Sequence, residues 1–109
     1  MGEAPFEIDA VGLDRWRRGD APPAILDVRE PWELALCRFE GSLDIPLATL
    51  PGRIDELPRD RPLVVVCHHG MRSLRAVTWL RAQGIDNAVN LSGGIDGWAR
   101  EIDTAMRTY

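Results

Sequence analysis

Leu63-Val64-Val65-Val66-Cys67-His68-His69-Gly70-Met71-Arg72-Ser73 is the stretch that decides the fold. Its first four residues are apolar and mostly β-branched, the pattern of a strand buried on both faces. A loop containing glycine follows. Leu74, Val77 and Leu80 then recur at helical spacing up to Gly84, which can close a helix. A buried strand that feeds a helix through a short loop is half of a βαβ unit.

Working outward, the same alternation recurs. Phe6 and Ile8 alternate with Glu7 and Asp9 as a short strand. Leu13 and Trp16 mark a short helix that Gly19 can end. Ala24 to Leu26 reads as a second strand, ending at Asp27. Pro31 suits the first turn of a helix running through Leu36, where its missing N–H is not needed. Leu43 to Ile45 is a weak strand, and Leu47 to Leu57 a helix interrupted by Pro51-Gly52. Ala88 to Leu91 is the last strand. Trp98, Ile102 and Met106 outline a C-terminal helix. The order βαβαβαβαβα predicts an α/β fold: a parallel sheet with helices on both faces, its ligand site at the carboxyl ends of the strands.

The chain has 109 residues, 45% of them hydrophobic, which fits one compact domain over 1–109. The net charge is −4, a poor match for nucleic acid or an anionic membrane surface. All thirteen basic residues are Arg, which excludes a Lys Schiff base. No apolar run reaches the ~18 residues of a membrane span. The start, Met1 to Pro5, is acidic and lacks a signal-peptide core, so a cytoplasmic protein is expected. Cys37 and Cys67 are the only cysteines. In a reducing compartment they read as reactive or buried rather than bridged. His68 and His69 adjoin Cys67 without metal-ligand spacing, so neither a metal nor a cofactor is expected.

The chemistry gathers after Val66. A thiol stands at the carboxyl end of a buried strand, before a helix N-terminus, with four residues between it and Arg72. Free N–H groups at the helix start, the helix dipole and the Arg72 guanidinium all favour negative charge on the sulfur. Gly70 permits φ > 0, so that successive N–H groups can face one centre. Such a cradle suits a persulfide, whose charge lies on its outer sulfur. Arg72, with His68 or His69, would steer an anionic donor. Met71 reads as a gap-filler or pocket wall. Ser73 reads as a helix cap or as a hydroxyl donor to the sulfur. The competing reading of Cys67 is a small buried apolar residue, and Gly70 and Arg72 at this spacing weigh against it.

Four segments, in this order, resemble the rhodanese homology family. They are Asp27-Val28-Arg29-Glu30, Gly41-Ser42-Leu43-Asp44-Ile45-Pro46, the loop from Cys67 to Ser73, and Gly93-Gly94-Ile95-Asp96-Gly97-Trp98. The resemblance runs from about Phe6 to Trp98. It implies a five-stranded parallel sheet in order 1-5-4-2-3 and Cys67 as persulfide carrier. Substrate contacts would come from His68, His69, Gly70, Met71, Arg72 and Ser73. In that strand order Asp27 and Arg29 stand beside the loop as support, Asp27 either bracing loop N–H groups or pairing with an Arg. Trp98 reads as core packing. The chain departs from the family at Cys37-Arg38-Phe39-Glu40. Cys37 is expected at the sheet end opposite Cys67, and therefore structural.

The implied activity is a thiosulfate sulfurtransferase, moving sulfane sulfur from a small anionic donor to cyanide or a thiol. Three rivals stand beside it. A cysteine phosphatase or arsenate reductase resembles this loop but has one residue more between Cys and Arg, a ring sized for a tetrahedral anion. A non-catalytic interaction module typically lacks the Cys. A sulfur relay keeps the chemistry and takes a protein as donor or acceptor.

Overall fold

The computed structural model describes residues 4–109, so Met1-Gly2-Glu3 of the acidic start lie outside the described residues. Five strands form one parallel sheet. They are β1 (Glu7–Ile8), β2 (Ala24–Asp27), β3 (Leu43–Asp44), β4 (Leu63–Val66) and β5 (Ala88–Leu91). Their order is β1-β5-β4-β2-β3, as the resemblance implied. The all-apolar β4 takes the centre, pairing Leu63 to Val66 with Ala24 to Asp27 on one side and Leu63 to Val65 with Ala88 to Asn90 on the other.

Strand alternation sorts β4 between two cores. Leu63, Val65 and Cys67 face the side covered by α3 (Met71–Ala82), with Ala76, Val77 and Leu80. Val64 and Val66 face α1 (Ala10–Arg17) and α4 (Gly94–Glu101), with Leu13, Ile95, Trp98 and Phe39. The four residues of β4 are wholly buried. Each contributes roughly 1.5–3 kcal/mol of transfer free energy, so the strand that carries the loop is firmly anchored. Trp98 packs against Phe39 with ring centroids 5.0 Å apart, a core role as expected. No helix among the described residues is long and apolar enough to cross a membrane.

Three elements differ from the sequence reading. Helix α2 spans Pro31–Leu34 and stops before Leu36. The Glu33 carbonyl there accepts from Leu36 N, Cys37 N and Arg29 Nη1, which tightens the chain into a turn. The segment Leu47–Glu56 is a 3-10 helix with a kink at Arg53. Helix α4 ends at Glu101, because Ile102 N and Asp103 N both donate to the Trp98 carbonyl. Met106 therefore lies beyond the helix, though it still packs on the α1–α4 core.

Candidate active site

Cys67 follows β4 directly, and the alternation of that strand fixes its direction toward α3. The thiol is 1% exposed. Gly70 N–H donates to Sγ at 3.1 Å, and Ser73 Oγ lies 3.3 Å from it. Gly70 has φ +103, the left-handed conformation the sequence reading required. Ser73 also donates to Asn90 Oδ1 at 2.6 Å. The Asn90 amide is oriented by its other end, which donates to Glu7 Oε2 and to the Gly70 carbonyl. A hydroxyl has one hydrogen. Asn90 Oδ1 and Cys67 Sγ therefore share the Ser73 hydroxyl as donor, the contact to Asn90 being the shorter.

The loop is held from outside by α4. Ile95 N donates to the Cys67 carbonyl at 2.9 Å and Asp96 N to the His68 carbonyl at 3.1 Å. A trans peptide points its N–H opposite to its C=O. Those two bonds therefore turn the His68 and His69 N–H groups away from α4. Gly93 and Gly94, at φ +78 and +61, let the β5–α4 turn come this close.

The charged residues are arranged differently from the sequence expectation. Arg72 does not reach the sulfur with its fork. Nη1 and Nη2 donate instead to Glu33 Oε1 and Oε2 at 2.6 and 2.8 Å. A buried carboxylate from α2 captured the guanidinium, and no motif had marked Glu33. The Arg72 guanidinium beside Glu33 holds its carboxyl well below the usual range, at about 2. Glu33 in turn holds Arg72 charged, and Cys67 adds to that field. Asp27 pairs with Arg29, the second of its two expected roles. Arg29 N, Nε and Nη2 all donate to it, and both side chains are fully buried. Burial alone would push Arg29 toward neutrality, but its bonds to Asp27 and Tyr109 hold it charged.

His69 points outward, its side chain 63% exposed, and lies 3.9 Å from Asp96. His68 is half-buried and stacks on Tyr109, with burial and then His69 holding it below the ordinary histidine range. Among the described residues, His68, His69 and Asp96 place donor atoms within 4.8 Å of one another. Spacing in the sequence showed the two histidines without the third group, which the fold brings from α4. Met71 is 65% exposed, a rim residue rather than a gap-filler. Cys37 is not at the far end of the sheet. Its carbonyl and thiol both face Arg29 Nη, at 2.8 and 3.9 Å, because the turn after α2 folds back on Arg29. Both cysteines are free.

The family model for the Rhodanese-like domain matches residues 13–101. The chain belongs to the rhodanese-like domain family. A sulfurtransferase of Allochromatium vinosum is 36% identical over 94 residues, covering 86% of this chain and 88% of that protein. The crystal structure of a rhodanese-like domain protein from Staphylococcus aureus superposes with a TM-score of 0.82 at 30% identity, covering 96% of this chain and 99% of that one. A probable adenylyltransferase/sulfurtransferase of Mycobacterium tuberculosis, MoeZ, is 32% identical over 99 residues; the match covers 89% of this chain and 25% of that longer protein.

The rhodanese-like assignment explains why three of the four motifs meet at this end of the sheet. Asp27-Val28-Arg29 builds the buried ion pair. Gly93-Gly94 brings α4 against the loop, and Cys67 to Ser73 wraps the sulfur. Sequence reasoning missed Glu33, Asn90, Glu7 and Tyr109. Glu33 Oε1 accepts from Glu30 N–H at 3.1 Å, one half of a capping box, but Glu30 is not the Ser or Thr that would signal it in the sequence. Nothing in the sequence marks Tyr109.

Proposed function

We propose that this rhodanese-like domain is a sulfurtransferase that carries sulfane sulfur on Cys67. The observation that carries the reading is the Cys67 sulfur itself: buried, contacted by Gly70 N–H and the Ser73 hydroxyl, at the carboxyl end of β4. The thiolate attacks the outer sulfur of thiosulfate. A Cys–S–S⁻ bond forms, the S–S bond of thiosulfate breaks, and sulfite leaves with its electron pair. When Cys67 ionises, the Ser73 hydrogen can turn from Asn90 to Sγ, a donor supplied without moving the backbone. In the second step cyanide or a thiol attacks the outer sulfur. The Cys67 thiolate is the leaving group, stabilised by the same donors.

The loop amides released from α4, His68 N–H and His69 N–H, are proposed to receive the outer sulfur. Arg72 contributes field rather than contact, since both ends of its fork are engaged by Glu33. A protein donor or acceptor in a sulfur relay would use the same two steps. The sulfurtransferase relatives support sulfur transfer in general, and the presence of Cys67 weighs against a purely non-catalytic module. The test is sulfur transfer to cyanide by wild type and Cys67→Ser with several donors. Wild type is expected to form thiocyanate and the variant none. Aryl phosphate hydrolysis without any sulfur transfer would favour the phosphatase reading instead.

A further inference from the structure

Beyond α4 the chain turns at Ile102 and brings Tyr109 to the Cys67 loop. The ring stacks on His68, centroids 3.8 Å apart and planes within 5°. The phenol accepts from Arg29 Nη1 at 2.9 Å and donates to Glu33 Oε2 at 2.7 Å. Trp32 meets the ring edge-on at 6.1 Å. Nothing in the two-step sulfur chemistry requires this residue. It is held by side chains from the end of β2, from α2 and from the loop, and partial burial pushes the phenol up to about 12.

The residues it touches tie into the Cys67 loop near both of its ends. His68 is the next residue after Cys67. Glu33 Oε2 is the same oxygen that takes Arg72 Nη2, and Arg72 closes the loop at the α3 end. Tyr109 thus joins the Asp27–Arg29 pair to the Glu33–Arg72 pair and lies on His68. Cys67, the residue before His68, is 1% exposed.

The geometry points to Tyr109 as a specificity-determining residue: a strap at the edge of the Cys67 loop that admits small sulfur donors and excludes bulky, protein-borne ones until residues 103–109 lift away. This rests on Cys67 being the reactive thiol, and it names which substrates reach that thiol. A stacked ring with two hydrogen bonds opens by local unfolding, so bulky reagents should react at a rate set by strap release.

Alkylation tests the strap without relying on sulfur transfer. The unsubstituted chain, Tyr109→Phe and Tyr109→Ala are treated with iodoacetamide and with a polyethylene-glycol maleimide, and modification of Cys67 is followed by peptide mass. In Tyr109→Ala the maleimide rate is expected to rise about tenfold or more while the iodoacetamide rate stays within about twofold. Tyr109→Phe keeps the stack, loses both hydrogen bonds and should fall between. Equal rises for both reagents, or no change in their ratio, would overturn the strap. Should Tyr109→Ala fail to fold, Tyr109→Phe supplies the same ratio. A protein that forms no persulfide but shows the expected alkylation ratios would sink the sulfur-transfer reading and leave the strap standing.

Discussion

Gly94, the first residue of α4, lies directly against the His68 carbonyl. A Cβ at position 94 would overlap that oxygen and stand 2.6 Å from the Cys67 carbonyl oxygen. The obstacles are backbone atoms, which cannot swing aside, and Gly94 also has φ +61. Gly94→Ala is therefore expected to cost at least about 2 kcal/mol and to disorder the loop. Gly97, three residues on, has open space around its Cβ, so Gly97→Ala should be neutral or stabilising by up to about 1 kcal/mol. Chemical denaturation of the two variants checks both. Equal stabilities would contradict the close approach.

The contrast between these glycines shows what the sequence makes legible. The run Leu63 to Val66 and the positive-φ Gly70 are local signals, and each appears where read. The strand order came through the four-motif resemblance, because pairing partners distant in sequence carry no local mark. Glu33, Asn90 and Tyr109 stayed invisible for the same reason. Glu33 and Arg72 are 39 positions apart, and Tyr109 is 80 from Arg29. Such pairs form only once the sheet has set its register. Cys37 was misplaced because the turn that returns it to Arg29 depends on a side chain donating to the Glu33 carbonyl.

Ser73 bridges the sulfur and Asn90. Ser73→Ala leaves Asn90 Oδ1 buried without its donor, at a cost of about 1–3 kcal/mol. It also removes the hydroxyl from Sγ, so sulfur transfer should fall about tenfold or more at temperatures where the variant remains folded. Transfer rates that track thermal stability alone would show that the hydroxyl serves the fold and not the sulfur.

Glu33 makes the acid response specific. Its carboxyl is held at about 2 in the folded chain against 4.5 ordinarily, first by Arg72. A folded value below the unfolded one means that the stabilisation is fully present above about pH 4.5 and is lost as pH falls toward 2. Denaturation midpoints measured across that window should drop in wild type and drop less steeply in Glu33→Gln. Parallel curves would remove Glu33 from the acid transition.

Arg72→Ala leaves Glu33, 3% exposed, without its cation. The expected loss is about 1–3 kcal/mol, less than for a wholly buried pair because the Arg72 side chain is 36% exposed. Its field also reaches Cys67, so use of thiosulfate should fall further than use of an uncharged polysulfide donor. Comparing kcat/KM for the two donors checks this. An identical loss for both would assign Arg72 to scaffolding alone.

The direct measurement is the mass of the cysteine peptides after incubation with thiosulfate. One added sulfur is expected on the peptide containing Cys67, none on that containing Cys37, and none anywhere in Cys67→Ser. Sulfur found on Cys37, or an unmodified Cys67 in folded protein, would contradict the assignment of Cys67 as the sulfur carrier.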